Sequence, residues 1–245
     1  MSIVTVIEPI EAPEGQEALV REQWQKMSAA LAHATGFLAS RLYEVDDEVE
    51  ARLISELNFQ WLRARPAGRA RFRFVHIAEW ESLAHYNAAT QRERGLSFPT
   101  YPAVYHLHSG ASEPKLTTKS GQTFSLIALF EVPAGQEAIL RQQWQTIVEG
   151  MGKVEGSLGP GLYEREPVEE VTSLLSSHPI SGTDIRFVNV AEWESLAHYG
   201  AVIRSRRHVE PITFPNHSAY YHVVAENYAA KGEIKRWSES SKMRR

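Results

Sequence analysis

Apolar and polar positions follow two different periods along the chain, and the order of these periods occurs twice. Runs of β-branched and large apolar residues, VTVIEPI and FSLIALFEV, predict a first strand in each copy. The segments after Pro13 and Pro133 repeat apolar residues at helical spacing, which predicts amphipathic helices. The residues expected to face the core are Val20, Trp24, Met27 and Leu31 in the first copy and Leu140, Trp144, Ile147 and Met151 in the second.

Each predicted helix is followed by a strand, a stretch of variable length, another strand, a second helix and a last strand. Gly36 and Gly156 should end the first helices. Ser82 and Ser195 are predicted N-caps of the second helices. The segment 72–80 is apolar on both faces, which is typical of a central strand. One face should carry Phe72, Phe74, His76, Ala78 and Trp80, and the other Val75 and Ile77.

The two copies also match residue by residue. PEGQEALVREQWQKM from Pro13 recurs as PAGQEAILRQQWQTI from Pro133, an offset of 133 − 13 = 120. RFVHIAEWESLAHY from Arg73 recurs as RFVNVAEWESLAHY from Arg186, an offset of 186 − 73 = 113. Long paired repeats of this kind indicate two units in one chain, whereas a solenoid needs more and shorter repeats.

The element order βαββαβ predicts an α+β fold made of two ferredoxin-like units. Each four-stranded sheet would leave one face uncovered, so the two sheets should close on each other as a barrel within one chain. We expect the first unit at residues 1–108, a polar linker at 109–122, the second unit at 123–228 and a disordered tail at 229–245.

Composition narrows the function. The 245 residues have a formal charge of −4 and no cysteine, so neither a nucleic acid, nor an anionic membrane, nor thiolate chemistry is expected. There is no apolar run long enough to span a bilayer, and the N-terminal segment turns acidic too early for a signal peptide. A cytoplasmic protein with a small-molecule ligand is the expectation.

Three residues of the second copy have a recognisable spacing: Asn189, Trp193 and Tyr199. With the tandem pattern, they make the sequence resemble the antibiotic biosynthesis monooxygenase family of dimeric α+β barrels, over nearly the whole chain. In its anthrone-oxidising members an Asn, a Trp four residues later and a Tyr six beyond that line the substrate pocket. The resemblance implies catalytic roles for these three residues.

The corresponding residues of the first copy are His76, Trp80 and Tyr86. The His in place of Asn departs from the family pattern. Either the first pocket works differently, with imidazole as a general base near neutral pH, or only the second pocket is active.

The residues themselves make this chemistry plausible. Asn189 and Trp193 lie four apart on a strand and therefore share a face, with the small Ala191 between them. Metal-free reaction with oxygen needs an electron-rich substrate, and lowering a phenol pKa from about 10 to 7 takes roughly 4 kcal/mol. Amide, indole and phenol donors can supply that stabilisation. The alternative is that Trp80 and Trp193 are packing anchors, as Trp24 and Trp144 are expected to be.

Other residues are candidates for substrate contact. Tyr43 and Tyr163 either reach the pocket from the adjacent strand or pack in the core. The variable stretch after Tyr43 has apolar residues at four-residue spacing, which predicts an amphipathic helix that acts as a lid or as surface cover. Its apolar residues are Val49, Leu53, Leu57 and Trp61, its candidate contacts are Asn58, Gln60 and Trp61, and a shorter counterpart surrounds Val168, Val171 and Leu175.

Neither a metal nor haem is expected. His106 and His108 alternate on the last strand of the first copy, but the second copy has His222 and then Val224, and no nearby carboxylate is expected to complete a site. Haem-degrading relatives carry a helix His about ten residues after the Trp, where this chain has Thr90 and Ile203. His85 and His198 are expected to face solvent.

The resemblance implies an oxygenase acting on a polycyclic aromatic polyketide of anthrone, hydroquinone or angucycline type. A fused two-unit chain looks most like the angucycline ring-opening oxygenases, which cleave a C–C bond with O2 and diffusible reduced flavin (FADH2 or FMNH2) from a separate reductase. There is no Gly-rich loop for a tightly bound nucleotide. The alternatives are a non-oxidative polyketide cyclase of the same fold and a binding or stress protein. The chain is expected to be a monomeric pseudo-dimer, with further homodimerisation open.

Overall fold

The computed structural model describes residues 3–57, 70–90, 96–110, 123–151, 155–167, 185–205 and 212–229. The first half contains β1 (Val4–Ile10), α1 (Glu17–Leu31), β2 (Phe37–Val45), α2 (Asp47–Leu57), β3 (Phe74–Trp80), α3 (Leu83–Thr90) and β4 (Ala103–Gly110). The second contains β5 (Phe124–Glu131), α4 (Glu137–Met151), β6 (Ser157–Arg165), β7 (Ile185–Trp193), α5 (Leu196–Ser205) and β8 (Asn216–Tyr228).

The eight strands form a closed antiparallel barrel. Their order is β1-β3-β2-β8-β5-β7-β6-β4, so each half contributes four neighbouring strands. Within each half, the fourth strand of the sequence lies beside the first, followed by the third and then the second. The two halves meet at two places, where β2 pairs with β8 and where β4 pairs with β6. The expected α+β barrel is confirmed, and closure removes the free sheet edges.

The inside of the barrel is a single apolar core drawn from both halves. Val75 and Ile77 of β3 point into it, as the strand alternation predicts, while Phe74 and Trp80 pack outside with the helices. Phe72 corrects the prediction, because it packs with the inner core. The reason is local: β3 begins only at Phe74, so residue 72 does not follow the alternation of the strand.

The helices cover the outer face of the barrel. Val20, Trp24, Met27 and Leu31 of α1 are all buried, as predicted. In α4, Leu140 and Trp144 are buried and Ile147 is half-buried, while the side chain of Met151 lies outside the described residues. The predicted N-caps are confirmed, because the backbone N–H of His85 donates to Ser82 Oγ and that of His198 donates to Ser195 Oγ, both at 3.3 Å.

β4 runs to Gly110, which is 110 − 108 = 2 residues past the expected end of the first unit. The rest of the expected linker, residues 111–122, and residues 230–245 of the expected tail lie outside the described residues. Within the described ranges, no helix is both long and apolar enough to cross a membrane.

Gly36 and Gly156 are required by both backbone and packing. Each has φ +76°, and a Cβ there would lie 2.1 Å from the ring of His85 or 2.2 Å from that of His198. The two histidines therefore pack against the glycines and are half-buried, not solvent-facing as expected. Gly15 is a natural contrast, with φ +81° and no atom within 4 Å of a built Cβ.

We expect Gly36→Ala to lower the free energy of unfolding by about 3 kcal/mol, from left-handed strain plus overlap with His85. The control Gly15→Ala carries the strain alone and should cost about 1 kcal/mol. Urea denaturation of both variants measures the difference. Equal losses in the two variants would contradict the packing role.

Candidate active site

The three residues with the recognisable spacing lie on the outer face of the second half, where Asn189 contacts α4 and Trp193 contacts α5. β7 carries Asn189 and Trp193, and α5 supplies Tyr199 above them. The Trp193 and Tyr199 rings meet edge to face with centroids 5.2 Å apart. Trp193 and Tyr199 belong to one buried cluster with Phe124 and Tyr220, so the interface of sheet and helix holds both rings in place.

The amide of Asn189 is oriented by a residue expected only to pack in the core. Trp144 Nε1 of α4 donates to Asn189 Oδ1 at 3.0 Å, and both side chains are buried. Because this bond occupies the carbonyl side, the NH2 group of Asn189 is the side left to donate to a ligand. Asn189 therefore offers a fixed hydrogen-bond donor.

Trp193 offers a second donor. Its Nε1 is buried and has no hydrogen-bond partner among the described residues. A buried donor without a partner costs about 1–3 kcal/mol, and among the described residues Trp24 Nε1 and Trp80 Nε1 of the first half share this feature. A ligand oxygen at this site would remove that penalty.

The Tyr199 hydroxyl lies 3.2 Å from the Tyr220 hydroxyl, and the two rings are 5.8 Å apart. Either hydroxyl can donate, so the pair can pass a proton between them. The matching Phe-Pro pairs at 98 and 214 give an offset of 214 − 98 = 116 between the two halves. With this offset, the residue of the first half that is equivalent to Tyr220 is Val104, because 220 − 116 = 104. The tyrosine pair therefore belongs to the second half alone.

The predicted amphipathic helix exists and covers this site from the other half. Leu53 of α2 is completely buried in the cluster of Trp193, Tyr199 and Tyr220, and Val49 packs against the same cluster. The backbone N–H of Asp46, just before α2, donates to Tyr220 O at 2.7 Å. Asn58, Gln60 and Trp61, the candidate lid contacts, lie outside the described residues, as does the counterpart around Val168, Val171 and Leu175.

The first half places His76, Trp80 and Tyr86 in the equivalent positions but encloses them. All three are 0–1% exposed, and Trp80 and Tyr86 meet with ring centroids 5.8 Å apart. In the structure as it stands, these three side chains are therefore closed to solvent.

His76 has an acidic neighbour that sequence reasoning missed. Glu8 of β1 lies directly across from His76 on β3, is fully buried, and brings its Oε2 to 3.7 Å from His76 Nδ1. The second half pairs Ala128 with Asn189 at the same positions. The sequence contained a sign of this buried acid, because Glu8 is the one acidic residue in the apolar run VTVIEPI and the equivalent residue of the second copy is Ala128.

The second half is more open than the first. Asn189 is 9% exposed against 1% for His76, and Ile147 and Val148 of α4 are half-buried where Met27 and Ser28 of α1 are buried. The first four residues of β6, 157–160, are also half-buried. The difference in exposure is confined to the surroundings of Asn189, because Trp193 and Tyr199 are themselves only 2% and 4% exposed.

The structure does not bring Tyr43 and Tyr163 to this site. Both point into the barrel, on the face of the sheet opposite Asn189 and Trp193. Burial first, and then the carboxylates of Glu79 and Glu192, raise the pKa of Tyr163 to about 12. Burial likewise raises the pKa of Tyr43, whose hydroxyl contacts Glu192 Oε1 at 3.2 Å. These tyrosines stay neutral core residues.

The expectation that no carboxylate lies near His106 and His108 is wrong. Glu164 of β6 pairs with His106 across the strands and approaches both imidazoles. The sequence could not show this, because the contact joins the two halves.

Comparison with known proteins shows the fold. No protein-family model matches the sequence, and no curated protein matches it. Among solved structures, an anthrone oxidase-like protein matches with a TM-score of 0.57 and 12% identity, over 94% of this chain and 95% of its own. A "putative monooxygenase" of Fusobacterium nucleatum subsp. nucleatum matches with a TM-score of 0.51 and 8% identity, over 92% and 94%. The chain shares their fold.

Proposed function

We propose that this protein is an oxygenase of the antibiotic biosynthesis monooxygenase type that oxidises a polycyclic aromatic polyketide at the outer-face site of its second half. The observation that carries the proposal is the pair of donors on β7: the Asn189 amide oriented by Trp144, and the Trp193 indole N–H without a protein partner. Four residues on a strand separate the two Cα atoms by about 13 Å, which suits a multi-ring ligand better than a single ring.

The donors would act on the substrate as an anion. A phenol or enolised anthrone must lose a proton before it can give an electron to O2, and hydrogen bonds to a charged oxygen contribute about 1.5–3 kcal/mol each. In an anion whose charge is spread over several rings, Asn189 and Trp193 would each donate to a different oxygen, and two such bonds would supply the roughly 4 kcal/mol that moves a phenol pKa from about 10 towards 7. The Tyr199–Tyr220 pair, 3.2 Å apart, would take up and release the proton.

The overall reaction balances without another reductant when the substrate is an anthrone. The CH2 group and O2 give C=O and H2O, so the substrate carbon loses four electrons and O2 gains them. Oxidative C–C bond cleavage by insertion of one oxygen atom takes only two electrons from an angucycline, so the other two that O2 needs would come from diffusible FADH2 or FMNH2 supplied by a separate reductase, and the second oxygen atom would leave as water. In that case the chain's own residues bind and orient the aromatic substrate and exclude water.

We infer further that the chain is a tandem fusion whose halves stand for the two subunits of a dimer. Each half supplies four neighbouring strands, and α2 of the first half covers the site of the second. Such a pseudo-dimer would be active as a monomer. We place it in the cytoplasm, where a separate flavin reductase would supply the reduced flavin.

A non-oxidative cyclase is the second candidate, and one observation favours it. The buried carboxylate of Glu8 lies 3.7 Å from His76 Nδ1, too far for a hydrogen bond, and an approach of the two groups would orient the imidazole as a general base. A base of this kind could enolise a polyketide ketone without oxygen. The burial of His76, which is 1% exposed, argues against the cyclase.

Oxygen-electrode traces with anthrone and angucyclinone substrates, each with and without a flavin reductase, test the proposal. We expect substrate-dependent oxygen uptake, independent of reductase for an anthrone and dependent on it for ring cleavage. Product formed without oxygen uptake would replace the proposal with the cyclase. Tight substrate binding with no turnover under any condition would indicate a binding protein.

A further inference from the structure

Two histidines and a carboxylate form a cluster on the outer face of the barrel, where the two halves meet. His106 and His108 project from β4 of the first half, and Glu164 projects from β6 of the second. One ligand atom from each residue can be chosen so that all lie within 4.8 Å of one another. The histidines are 46% and 36% exposed and Glu164 is 14% exposed, so an ion could enter directly from solvent.

The carboxylate faces both imidazoles. Glu164 Oε2 is 4.0 Å from His106 Nε2 and 3.5 Å from His108 Nδ1. Ligand atoms around a tetrahedral zinc ion, at bond lengths of about 2.0–2.1 Å, lie about 3.3 Å apart. Small rotations of the two exposed side chains would therefore close the site.

Two further residues support the cluster. His106 Nδ1 lies 3.0 Å from Glu166 Oε1, so this nitrogen can donate to the carboxylate while Nε2 turns its lone pair to the cluster. Metal-binding histidines commonly have such a carboxylate partner, which fixes the tautomer. Arg141 holds the Glu164 carboxylate with two hydrogen bonds, of 2.9 and 2.5 Å. These two bonds fix the orientation of the carboxylate towards the histidines.

We propose that His106, His108 and Glu164 bind one divalent transition-metal ion, with Zn²⁺ the best match. Two imidazoles and one carboxylate are a donor set that zinc accepts, and three protein ligands leave the fourth position open for water or an anionic ligand. We call the two places where the halves pair, β4 with β6 and β2 with β8, the seams of the barrel. Because the ligands come from β4 and β6, the ion would also cross-link the two halves at the first seam. This inference does not depend on the proposed oxygenase function.

The other seam provides a control within the same chain. There β8 carries His222 and Val224 opposite Glu44 of β2, and His222 Nδ1 lies 3.5 Å from Asp46 Oδ2. Glu44 is held by Arg21, as Glu164 is by Arg141. The two seams thus match in carboxylates, arginine and first histidine, and they differ in the second histidine.

Isothermal titration of the EDTA-treated full chain with ZnCl2 tests the proposal. We expect one saturable ion per chain, loss of affinity by a hundredfold or more in His106→Ala and in His108→Ala, and no change in His222→Ala. Glu166→Gln should weaken binding about tenfold or more. Circular dichroism of each variant confirms that it is folded.

Two further readouts distinguish a built site from surface adsorption. Co²⁺ should give the visible absorption of a low-coordinate site, and Zn²⁺ at a hundredfold excess over Kd should raise the Tm by about 5–10 °C. Absence of saturable binding, or equal loss of binding in His222→Ala and His108→Ala, would overturn the proposal.

Discussion

Replacing Asn189 by alanine should lower the rate of oxygen-dependent substrate oxidation by about a hundredfold or more. Removing one hydrogen-bond donor to a developing oxyanion typically costs 10²–10³ in kcat, and the Asn189 amide is held as a donor by its bond from Trp144. Trp193→Phe removes the indole N–H together with one ring of a buried cluster, so it should have an effect at least as large, and circular dichroism must confirm that the variant is folded. Initial rates of oxygen uptake over a substrate series give both values.

A matched substitution separates donation from packing. Asn189→Asp keeps an oxygen that can accept from Trp144 but replaces the NH2 donor, so it should lose as much activity as Asn189→Ala. His76→Ala changes the equivalent residue of the enclosed first half, and it should leave kcat within about twofold if only the second half is active. Unchanged rates in Asn189→Ala together with a large loss in His76→Ala would transfer the reaction to the first half.

Removing Arg41 should cost about 3–5 kcal/mol of unfolding free energy. Arg41 lies at one end of the barrel interior, where it contacts Glu192 Oε1 at 2.9 Å and Glu226 Oε1 at 3.1 Å. Its side chain is 9% exposed and those of the two glutamates are 12% and 21% exposed, so the variant Arg41→Met would leave two poorly hydrated carboxylates without their cation. Chemical denaturation monitored by tryptophan fluorescence measures the loss.

An exposed ion pair is the control. Lys26 and Glu22 of α1 are 73% and 60% exposed, and Lys26→Met should change stability by less than about 1 kcal/mol. Arg41→Met/Glu192→Gln removes one of the stranded charges and should recover part of the loss. A small effect of Arg41→Met, comparable with that of Lys26→Met, would show that water reaches this end of the barrel and hydrates the carboxylates.

Local patterns predicted the parts of the structure that depend on local physics. The stripe of Val20, Trp24, Met27 and Leu31 and the serine caps of α3 and α5 follow from helix geometry and capping chemistry alone. The alternation of β7 placed Asn189 and Trp193 on one face, because successive side chains of any strand point to opposite sides. The repeat then predicted the barrel, since two open sheets with apolar faces must cover each other.

The same reasoning failed where a contact joins distant segments. Trp144 was expected only to pack, yet it fixes the Asn189 amide, and Tyr43 was a candidate contact, yet it points into the barrel. Glu8 meets His76 only because β1 and β3 pair in one particular register. In each case, the partner of a polar atom depends on which strands are neighbours.

The sequence by itself determined the element order, the duplication, the outer face that carries Asn189 and Trp193, and the contrast between His76 and Asn189, because each is a property of one segment or of two aligned segments. Only the tertiary structure decided that α2 of one half covers the site of the other, that the second half is the more open one, and that Glu164 joins His106 and His108. These features arise from barrel closure, which brings β2 beside β8 and β4 beside β6, and no local pattern specifies which side chains meet across such a seam.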